Sequence, residues 1–417
     1  MGREVTIIGQ GYVGLPLAQA ATEGGWTVHG LDVSDRITSA LNAGRSHVGD
    51  LSDADIATML DAGYRATTDP SVITRSQVVV ICVPTPLGDG GGPDLAAVRG
   101  AASTIGRYLK AGTLVLLEST TYPGTTEDVL APILEEGSGL KAGQGFEVAF
   151  SPERVNPGDP VYGIKNTPKL VGGMGPTATK LAIDFYSSFV DEVVPLSGPK
   201  EAETAKLLEN TFRHVNIALV NEMAKFCHEM GIDIWEVIRG AGTKPFGFMK
   251  FTPGPGVGGH CIPIDPNYLA FEVKNQLGYP FRFVELAQEI NNSMPDYVVT
   301  RVSRLLNDQS RSVRGARVLL LGVTYKPDIA DQRESPSIAV ADRLRELGAE
   351  VSFHDPYVSN WRLASGVLER VENLDDALQG SDVAVLLQAH SAYDLRALQD
   401  KASLFFDTRG KTDGLKL

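Results

Sequence analysis

The sequence predicts an α/β protein in which two doubly wound units flank a helical region. Three observations carry this. Apolar runs of strand length alternate with longer amphipathic stretches through the first 195 residues, the middle region largely lacks such runs, and the alternation resumes near Arg314. The chain of 417 residues exceeds what one ordinary hydrophobic core holds, and its 43% hydrophobic and 21% charged residues are typical of globular proteins.

In chain order, the strands expected first are Val5–Ile8, Thr27–Leu31, Val78–Val83, Leu114–Glu118 and Phe146–Phe150. Unbroken apolar runs such as Val78–Val83 suit a parallel sheet covered on both faces. Directly after the first strand, Gly9-Gln10-Gly11-Tyr12-Val13-Gly14 opens a helix running from Leu15 to about Glu23. Its glycines permit a tight turn, close approach of backbone to a pyrophosphate, and close helix–strand packing. The helix N-terminus adds N–H donors and a partial positive charge. Asp32 ends the second strand, where a carboxylate can accept from both adenosine ribose hydroxyls and would repel a 2′-phosphate. The arrangement is that of a Rossmann-like domain and favours NAD over NADP. Arg36 is a cation within reach of such a phosphate and keeps NADP open as the alternative.

The character changes near Pro195–Pro199. Glu201 to Met230 reads as one long helix ended by Gly231, and a Gly/Pro-rich segment, Pro253–Pro266, interrupts the helices that follow. Long apolar helices outside a sheet often form an oligomer interface, so a homodimer through the central helices is expected. The last region offers strands Val318–Gly322, Ala349–Phe353, Val383–Leu387 and Leu404–Phe406, with a helix Ser337–Leu347 ended at Gly348. The expected layout is two Rossmann-like domains, 1–198 and 306–417, joined by a central helical dimerisation region, 199–305.

With 38 Lys and Arg against 51 Asp and Glu, the net charge of −13 leaves no electrostatic footprint for nucleic acid or an anionic membrane. No segment approaches the ~18 consecutive apolar residues of a membrane helix, and a strand starting at once leaves no room for a signal peptide. Three cysteines, Cys82, Cys227 and Cys261, make neither a disulfide framework nor a zinc-binding pair, so no metal and a cytoplasmic setting are expected.

The most informative stretch is Gly254-Pro255-Gly256-Val257-Gly258-Gly259-His260-Cys261-Ile262-Pro263-Ile264-Asp265-Pro266. Four glycines leave backbone on which a ligand could lie, and a thiolate is the strongest nucleophile a protein offers at neutral pH. Read from residues alone, Cys261 is a nucleophile or an inert small hydrophobe; Cys82 and Cys227 keep the second reading. Lys206 and Asn210, four apart on the long helix, project from one face and are either an active pair or ordinary surface residues.

Taken together these motifs resemble the nucleotide-sugar 6-dehydrogenases, the family of UDP-glucose dehydrogenase. The resemblance runs over essentially the whole chain through Gly9–Gly14, Val83-Pro84-Thr85-Pro86, Glu118-Ser119-Thr120, Ser151-Pro152-Glu153, Lys206 with Asn210, Gly258-Gly259-His260-Cys261 with Asp265, Tyr325-Lys326-Pro327-Asp328 and Asp331-Gln332-Arg333-Glu334-Ser335. It implies a four-electron oxidation of a sugar CH2OH to a carboxylate by two NAD, with the C-terminal domain binding UDP. Cys261 would be the nucleophile, Lys206 the oxyanion stabiliser and Asn210 a partner of the sugar or the same oxygen. Asp265 would relay protons with Lys206 and a water, Glu153 would be the base for thioester hydrolysis, and Thr120 would position a water. Tyr12, Val13, Thr85 and Thr120 would also lie on the cofactor side, Arg333 would be a cofactor-side or interdomain contact, and Arg154, Gly258 and Lys326 would lie on the UDP-sugar side, with Lys326 at a phosphate.

Where the glucose-specific members carry a second glutamate, this chain has Pro157. The runs Phe150–Gly158, Glu118–Gly124, Asn166–Lys169 and His260–Pro266 resemble the branch acting on UDP-N-acetylhexosamines, which orders the expected substrates as UDP-N-acetylglucosamine, UDP-N-acetylmannosamine, then UDP-glucose. Two rival readings remain: a two-electron β-hydroxyacid dehydrogenase, which also pairs a Rossmann domain with a helix-borne lysine and asparagine, and a non-catalytic nucleotide sensor.

Overall fold

A computed structural model describes residues 2–88, 92–155, 161–259 and 262–417. The chain forms two compact units, Met1–Glu209 with Asn267–Leu277, and Asn210–Pro266 with Gly278–Leu417.

The first unit is built on eight strands: β1 (Glu4–Ile8), β2 (Thr27–Leu31), β3 (Arg65–Thr67), β4 (Val78–Ile81), β5 (Leu114–Leu117), β6 (Glu147–Phe150), β7 (Lys169–Gly173) and β8 (Val193–Pro195). They pair in the order β3-β2-β1-β4-β5-β6-β7-β8. The chain moves outward from β1 through β3, then returns to β4 beside β1, which opens a crevice at the carboxyl ends of β1 and β4. Every pairing is parallel except β6 with β7. Alternate side chains of β1 and β4 enter separate cores. Val5, Ile7, Val78 and Val80 join the core beneath the Gly14–Glu23 helix, while Ile8, Val79 and Ile81 join one with the Ala96–Tyr108 helix. Each such side chain, when fully buried, contributes roughly 1.5–3 kcal/mol of hydrophobic stabilisation. All five strands expected here form, to within two residues at their ends. The three not expected are β3 and β8, of three residues each, and β7, whose Lys169 start and Gly172-Gly173 end lack strand character.

The second unit holds a five-stranded parallel sheet in the order β10-β9-β13-β14-β15: β9 (Arg317–Leu321), β10 (Glu350–His354), β13 (Val383–Leu386), β14 (Phe405–Asp407) and β15 (Leu415–Lys416). A hairpin of β11 (Asn360–Leu363) and β12 (Gly366–Glu369) follows β10 and buries Trp361 against Phe353. The helix Met294–Asp308 lays Val298, Val302 and Leu306, at helical spacing, onto Val318 and Leu320 of this sheet.

The long helix runs from Pro199 to Glu229 and the chain leaves it through Gly231 at φ 67°; only glycine adopts that conformation without cost. Among the described residues no helix is long and apolar enough to cross a membrane.

Candidate active site

At the carboxyl end of β1 the glycines have different jobs. Gly9 sits at φ 89°, and a Cβ there would lie 2.7 Å from the Cys82 carbonyl oxygen. A Cβ on Gly14 would lie 1.9 Å from the Gly9 carbonyl, so this glycine lets helix and strand approach. Gly11 is the opposite case, with nothing within 4 Å of its missing Cβ: it leaves open space in front of a helix N-terminus, as a pyrophosphate requires. Gln10 pins the turn, its Nε2 donating to the Ile7 carbonyl at 2.8 Å and its Oε1 accepting from the Tyr64 hydroxyl at 2.7 Å.

Asp32 is half-buried and oriented by two backbone donors, the Gln10 N–H on Oδ2 and the Ser34 N–H on Oδ1, both at 2.9 Å. Two oxygens with about four lone-pair sites keep capacity for ribose hydroxyls. Tyr12 and Arg36 are exposed and Val13 half-buried around the same turn. The residues therefore fit a bound dinucleotide.

The loops after β4 and β5 are tied to each other. Thr85 Oγ1 donates to the Thr120 carbonyl at 2.8 Å, Ser119 Oγ donates to the Val83 carbonyl at 2.7 Å, and the Tyr268 hydroxyl donates to the Thr85 carbonyl. Glu203, fully buried on the long helix, clamps the next turn by accepting from Gly124 N–H (2.6 Å), Thr126 N–H (2.9 Å) and Thr126 Oγ1 (2.7 Å). Burial outweighs these donors and pushes its carboxyl up to about 7.

Beside these loops lies a buried charge cluster. Lys169 Nζ is 3.0 Å from Glu118 Oε2 and 3.4 Å from Glu153 Oε2, and the Tyr186 hydroxyl donates to Glu118 Oε1. Burial raises the Glu118 carboxyl despite Lys169. It would raise Glu153 too, but there the Lys169 charge, the Val155 N–H and the Lys206 charge win, and the group is held below the ordinary range. Lys206, buried, donates to the Glu153 carbonyl, so the catalytic lysine and base expected from sequence are neighbours. Arg154 is engaged by Glu209 (2.7 Å) and by the Pro168 carbonyl (2.6 Å). No motif had assigned a role to Glu118, Lys169, Tyr186 or Glu203. The available signal was a lysine opening an otherwise apolar segment, which cannot be buried without a counter-charge.

In the second unit Asn210 Nδ2 donates to Asp265 Oδ2 at 2.5 Å, both residues being buried. A carboxylate and an amide so paired can orient a proton-accepting oxygen. The Gly/Pro-rich segment is held by Asn221, whose Oδ1 accepts from Gly254 N–H at 2.9 Å and whose Nδ2 donates to Asn291 at 2.9 Å. Its glycines differ from expectation. The four sites face protein, not open space: a Cβ on Gly254 would lie 2.8 Å from Arg409, on Gly256 2.9 Å from Pro336, on Gly258 2.6 Å from the Glu334 carbonyl, and on Gly259 2.9 Å from the Tyr325 ring. Close packing against Tyr325–Pro336 explains Gly256, Gly258 and Gly259, and the Arg409 side chain lies against Gly254. Thr324 Oγ1 donates to the Lys326 carbonyl at 2.7 Å, and Arg333 is bidentate on Asp331 at 2.8 and 2.9 Å. His260, Cys261 and Pro157 lie outside the described residues.

The first unit thus offers a dinucleotide cradle with a half-buried carboxylate held in its charged form beside a buried lysine, and the second a buried amide–carboxylate pair. Three family models match the chain: the NAD binding domain of the UDP-glucose/GDP-mannose dehydrogenase family over residues 3–190, its central domain over 200–293, and its UDP binding domain over 319–414. The UDP-N-acetyl-D-mannosamine dehydrogenase of Methanocaldococcus jannaschii is 33% identical over 399 residues, 94% of this chain and 87% of the relative. The UDP-N-acetyl-D-glucosamine 6-dehydrogenase of Pseudomonas aeruginosa is 36% identical over 357 residues, 85% of this chain and 83% of the relative. Among solved structures, a UDP-N-acetyl-D-mannosamine dehydrogenase from Pyrococcus horikoshii superposes with a TM-score of 0.90 at 32% identity, covering 99% of this chain and 98% of that one. The chain belongs to the UDP-glucose/GDP-mannose dehydrogenase family and is an NAD-dependent nucleotide-sugar dehydrogenase.

Proposed function

We propose that the protein oxidises the C6 hydroxymethyl of a UDP-N-acetylhexosamine to a carboxylate, with UDP-N-acetylglucosamine as the preferred substrate. The overall change is RCH2OH + 2 NAD + H2O giving RCOO−, 2 NADH and 3 H+. NAD supplies the hydride acceptor at each oxidation. The first oxidation leaves an aldehyde, and the Cys261 thiolate adds to it as a thiohemiacetal, whose C–H can then be oxidised to a thioester. Lys206 stabilises the oxyanions by charge and hydrogen bonding. Asn210 and Asp265 orient the sugar oxygen and carry its proton, with Lys206 as the other end of the relay. Glu153 takes a proton from the water that attacks the thioester, with Thr120 placing that water, and the Cys261 thiolate leaves.

Glu153 is the observation that carries this reading. A base for hydrolysis is needed only when an acyl intermediate must be opened, and Glu153 is a half-buried carboxylate held in its charged form next to Lys206. A two-electron β-hydroxyacid dehydrogenase has no use for it. The assignment to UDP-N-acetylglucosamine draws support from the 36% identical relative. UDP-N-acetylmannosamine is favoured instead by the relative matching 94% of the chain and by the structure of TM-score 0.90, and UDP-glucose is third. We assign NAD to residues 1–198, with Thr85, Thr120 and Arg333 on its side. UDP goes to 306–417, with Lys326 at a phosphate and Arg154 and Gly258 at the sugar-nucleotide. The NAD-domain and UDP-domain family matches support this division.

The test is NADH formed per sugar consumed with all three UDP-sugars. Two NADH from UDP-N-acetylglucosamine, and their loss in Cys261→Ala with binding retained, are expected. One NADH per sugar, or full turnover by the variant, sinks the thioester route.

Residues 199–305 are assigned to homodimerisation. Phe212, Leu219, Met223 and Phe226 form an exposed apolar stripe at helical spacing along the long helix, and the exposed Met230 follows it directly. Light scattering should give a dimer that Leu219→Glu dissociates, and a monomeric wild type ends that assignment. The cytoplasm is the proposed compartment, in keeping with the buried unpaired Cys82 and Cys227; cell fractionation tests it.

A further inference from the structure

The antiparallel placement of β7 has a chemical result. Its register pairs Ala149 with Gly173 and Phe150 with Gly172. Carried three residues past the end of β6, that register sets Glu153 opposite Lys169, the first residue of β7. Glu118 follows β5, the other neighbour of β6. One ammonium therefore stands between two carboxylates, at 3.0 Å and 3.4 Å. The three side chains are graded in their access to water, at 0% exposure for Glu118, 6% for Lys169 and 17% for Glu153. Only Glu153 can meet a hydrolytic water and return its proton to solvent.

We propose that Lys169 and Glu118 are positioning residues for the hydrolytic step. Lys169 holds Glu153 as a carboxylate, and Glu118, anchored by the Tyr186 hydroxyl, holds Lys169 in place while opposing Glu153 with its own negative charge. The proposal rests on the reading of Glu153 as the base. In the step itself a water O–H bond breaks as its oxygen bonds the thioester carbon, the proton passes to Glu153, and the C–S bond breaks to release the thiolate. Two carboxylates sharing one buried cation cannot both keep ordinary acidity. Burial raises Glu118, whereas Lys169 leads the effects that lower Glu153. Of the other groups facing the cluster, Lys206 adds a second lowering charge, smaller than that of Lys169, and the rest supply no cation. Cys82, beyond β4, is a thiol that burial pushes well up; Tyr186 presents its ring 5.1 Å from Lys169 Nζ; Arg154 is engaged by Glu209. Lys206, on the long helix, donates to the Glu153 backbone carbonyl.

The two residues act with opposite sign, which a merely structural role does not produce. The readout is the acidic limb of the pH profile for acid formation by the full-length enzyme, together with the covalent sugar adduct seen by intact-protein mass. Lys169→Met should move the limb to higher pH by roughly 1–3 units, and Lys169→Arg should restore it. Glu118→Gln, near-isosteric and so expected to fold even if Lys169→Met does not, should move it to lower pH. Glu153→Gln should abolish the limb and accumulate adduct. If Glu153→Gln keeps the wild-type profile, the base reading itself fails. If it behaves as expected while Glu118→Gln and Lys169→Met change rates without moving the limb, the positioning roles alone are overturned.

Discussion

At the carboxyl ends of β1 and β2, Gly9 turns at φ 89°, its N–H bonds the Leu31 carbonyl at 2.8 Å, and the next N–H, of Gln10, reaches Asp32 at 2.9 Å. At the ends of β9 and β10, Gly322 turns at φ 72°, its N–H bonds the His354 carbonyl at 2.9 Å, and the next N–H, of Val323, reaches Asp355 at 2.8 Å. In both turns the second carboxylate oxygen accepts the N–H two residues on, from Ser34 or Tyr357. Their surroundings differ. Asp32 is half-buried before a helix that opens at Gly14, whereas Asp355 is fully buried, its helix starts only at Pro336, and its Oδ2 lies 2.9 Å from His390 Nε2. His390 Nδ1 accepts from Asp328 N–H at 2.9 Å, so Nε2 carries the hydrogen and donates to Asp355. An acidic residue at the end of a second strand is therefore first a clamp on the turn. It reads a ribose only where water, and hence a ligand, can reach it.

The comparison predicts its largest effect at Asp355. Asp355→Ala strands the His390, Val323 and Tyr357 donors in the interior and should cost roughly 3–5 kcal/mol of stability, read from the denaturant midpoint, with NAD affinity of the folded protein unchanged. An equal loss from Asp32→Ala would erase the distinction. Asp32→Ala should instead lower NAD affinity by roughly 10–100-fold, the value of a charged hydrogen bond, measured by calorimetric titration.

Gly11→Val sharpens the contrast at backbone level. Nothing occupies the space beside Gly11, so stability should hold within about 0.5 kcal/mol while NAD binding is blocked. Gly14→Val, driven into the Gly9 carbonyl, should unfold the turn, and a stable Gly14→Val with normal NAD binding would break the account of this loop.

The smallest effects are in pH. Burial would raise Asp355, but His390 and the Val323 and Tyr357 N–H groups hold its carboxyl below the ordinary range. Its contribution is present above the unfolded value of about 4 and is lost as pH falls further. Glu203 has the opposite sign. Its folded carboxyl, near 7, binds a proton more tightly than in the unfolded chain, so stability falls as pH rises from about 4.3 to 7. Unfolding free energy measured across this range should show that decline, and Glu203→Gln should flatten it; a decline unchanged in the variant assigns it to other groups.

Much of the fold was legible because its signals are local. Apolar runs marked β1, β2, β4, β5 and β6 in the first sheet and β9, β10, β13 and β14 in the second, and Gly231 and Gly348, both at positive φ, marked helix ends. The edge strands β3, β8 and β15 were not legible, since two or three residues carry no periodicity. Lys206, Asn210, Asp265 and Glu153 were visible through motifs, and their side chains make the buried contacts described above. The glycines around Gly258 were visible but their cause was not, because a glycine looks the same whether it faces a ligand or Tyr325.

The sequence alone determined the α/β class, the glycine turn with Asp32 after it, and the candidate side chains, since each depends on residues near one another in the chain. The tertiary structure decided which of them share an environment. Lys169 lies 51 residues from Glu118 and 16 from Glu153, and only the antiparallel register of β7 brings its ammonium to the edge where β5 and β6 end. A parallel β7 would start at the opposite edge, with the same residues and none of the charge pairing. Likewise Asp32 and Asp355 are equivalent as strand-ending aspartates. Burial, which no local pattern encodes, made one a candidate ligand and the other a structural clamp.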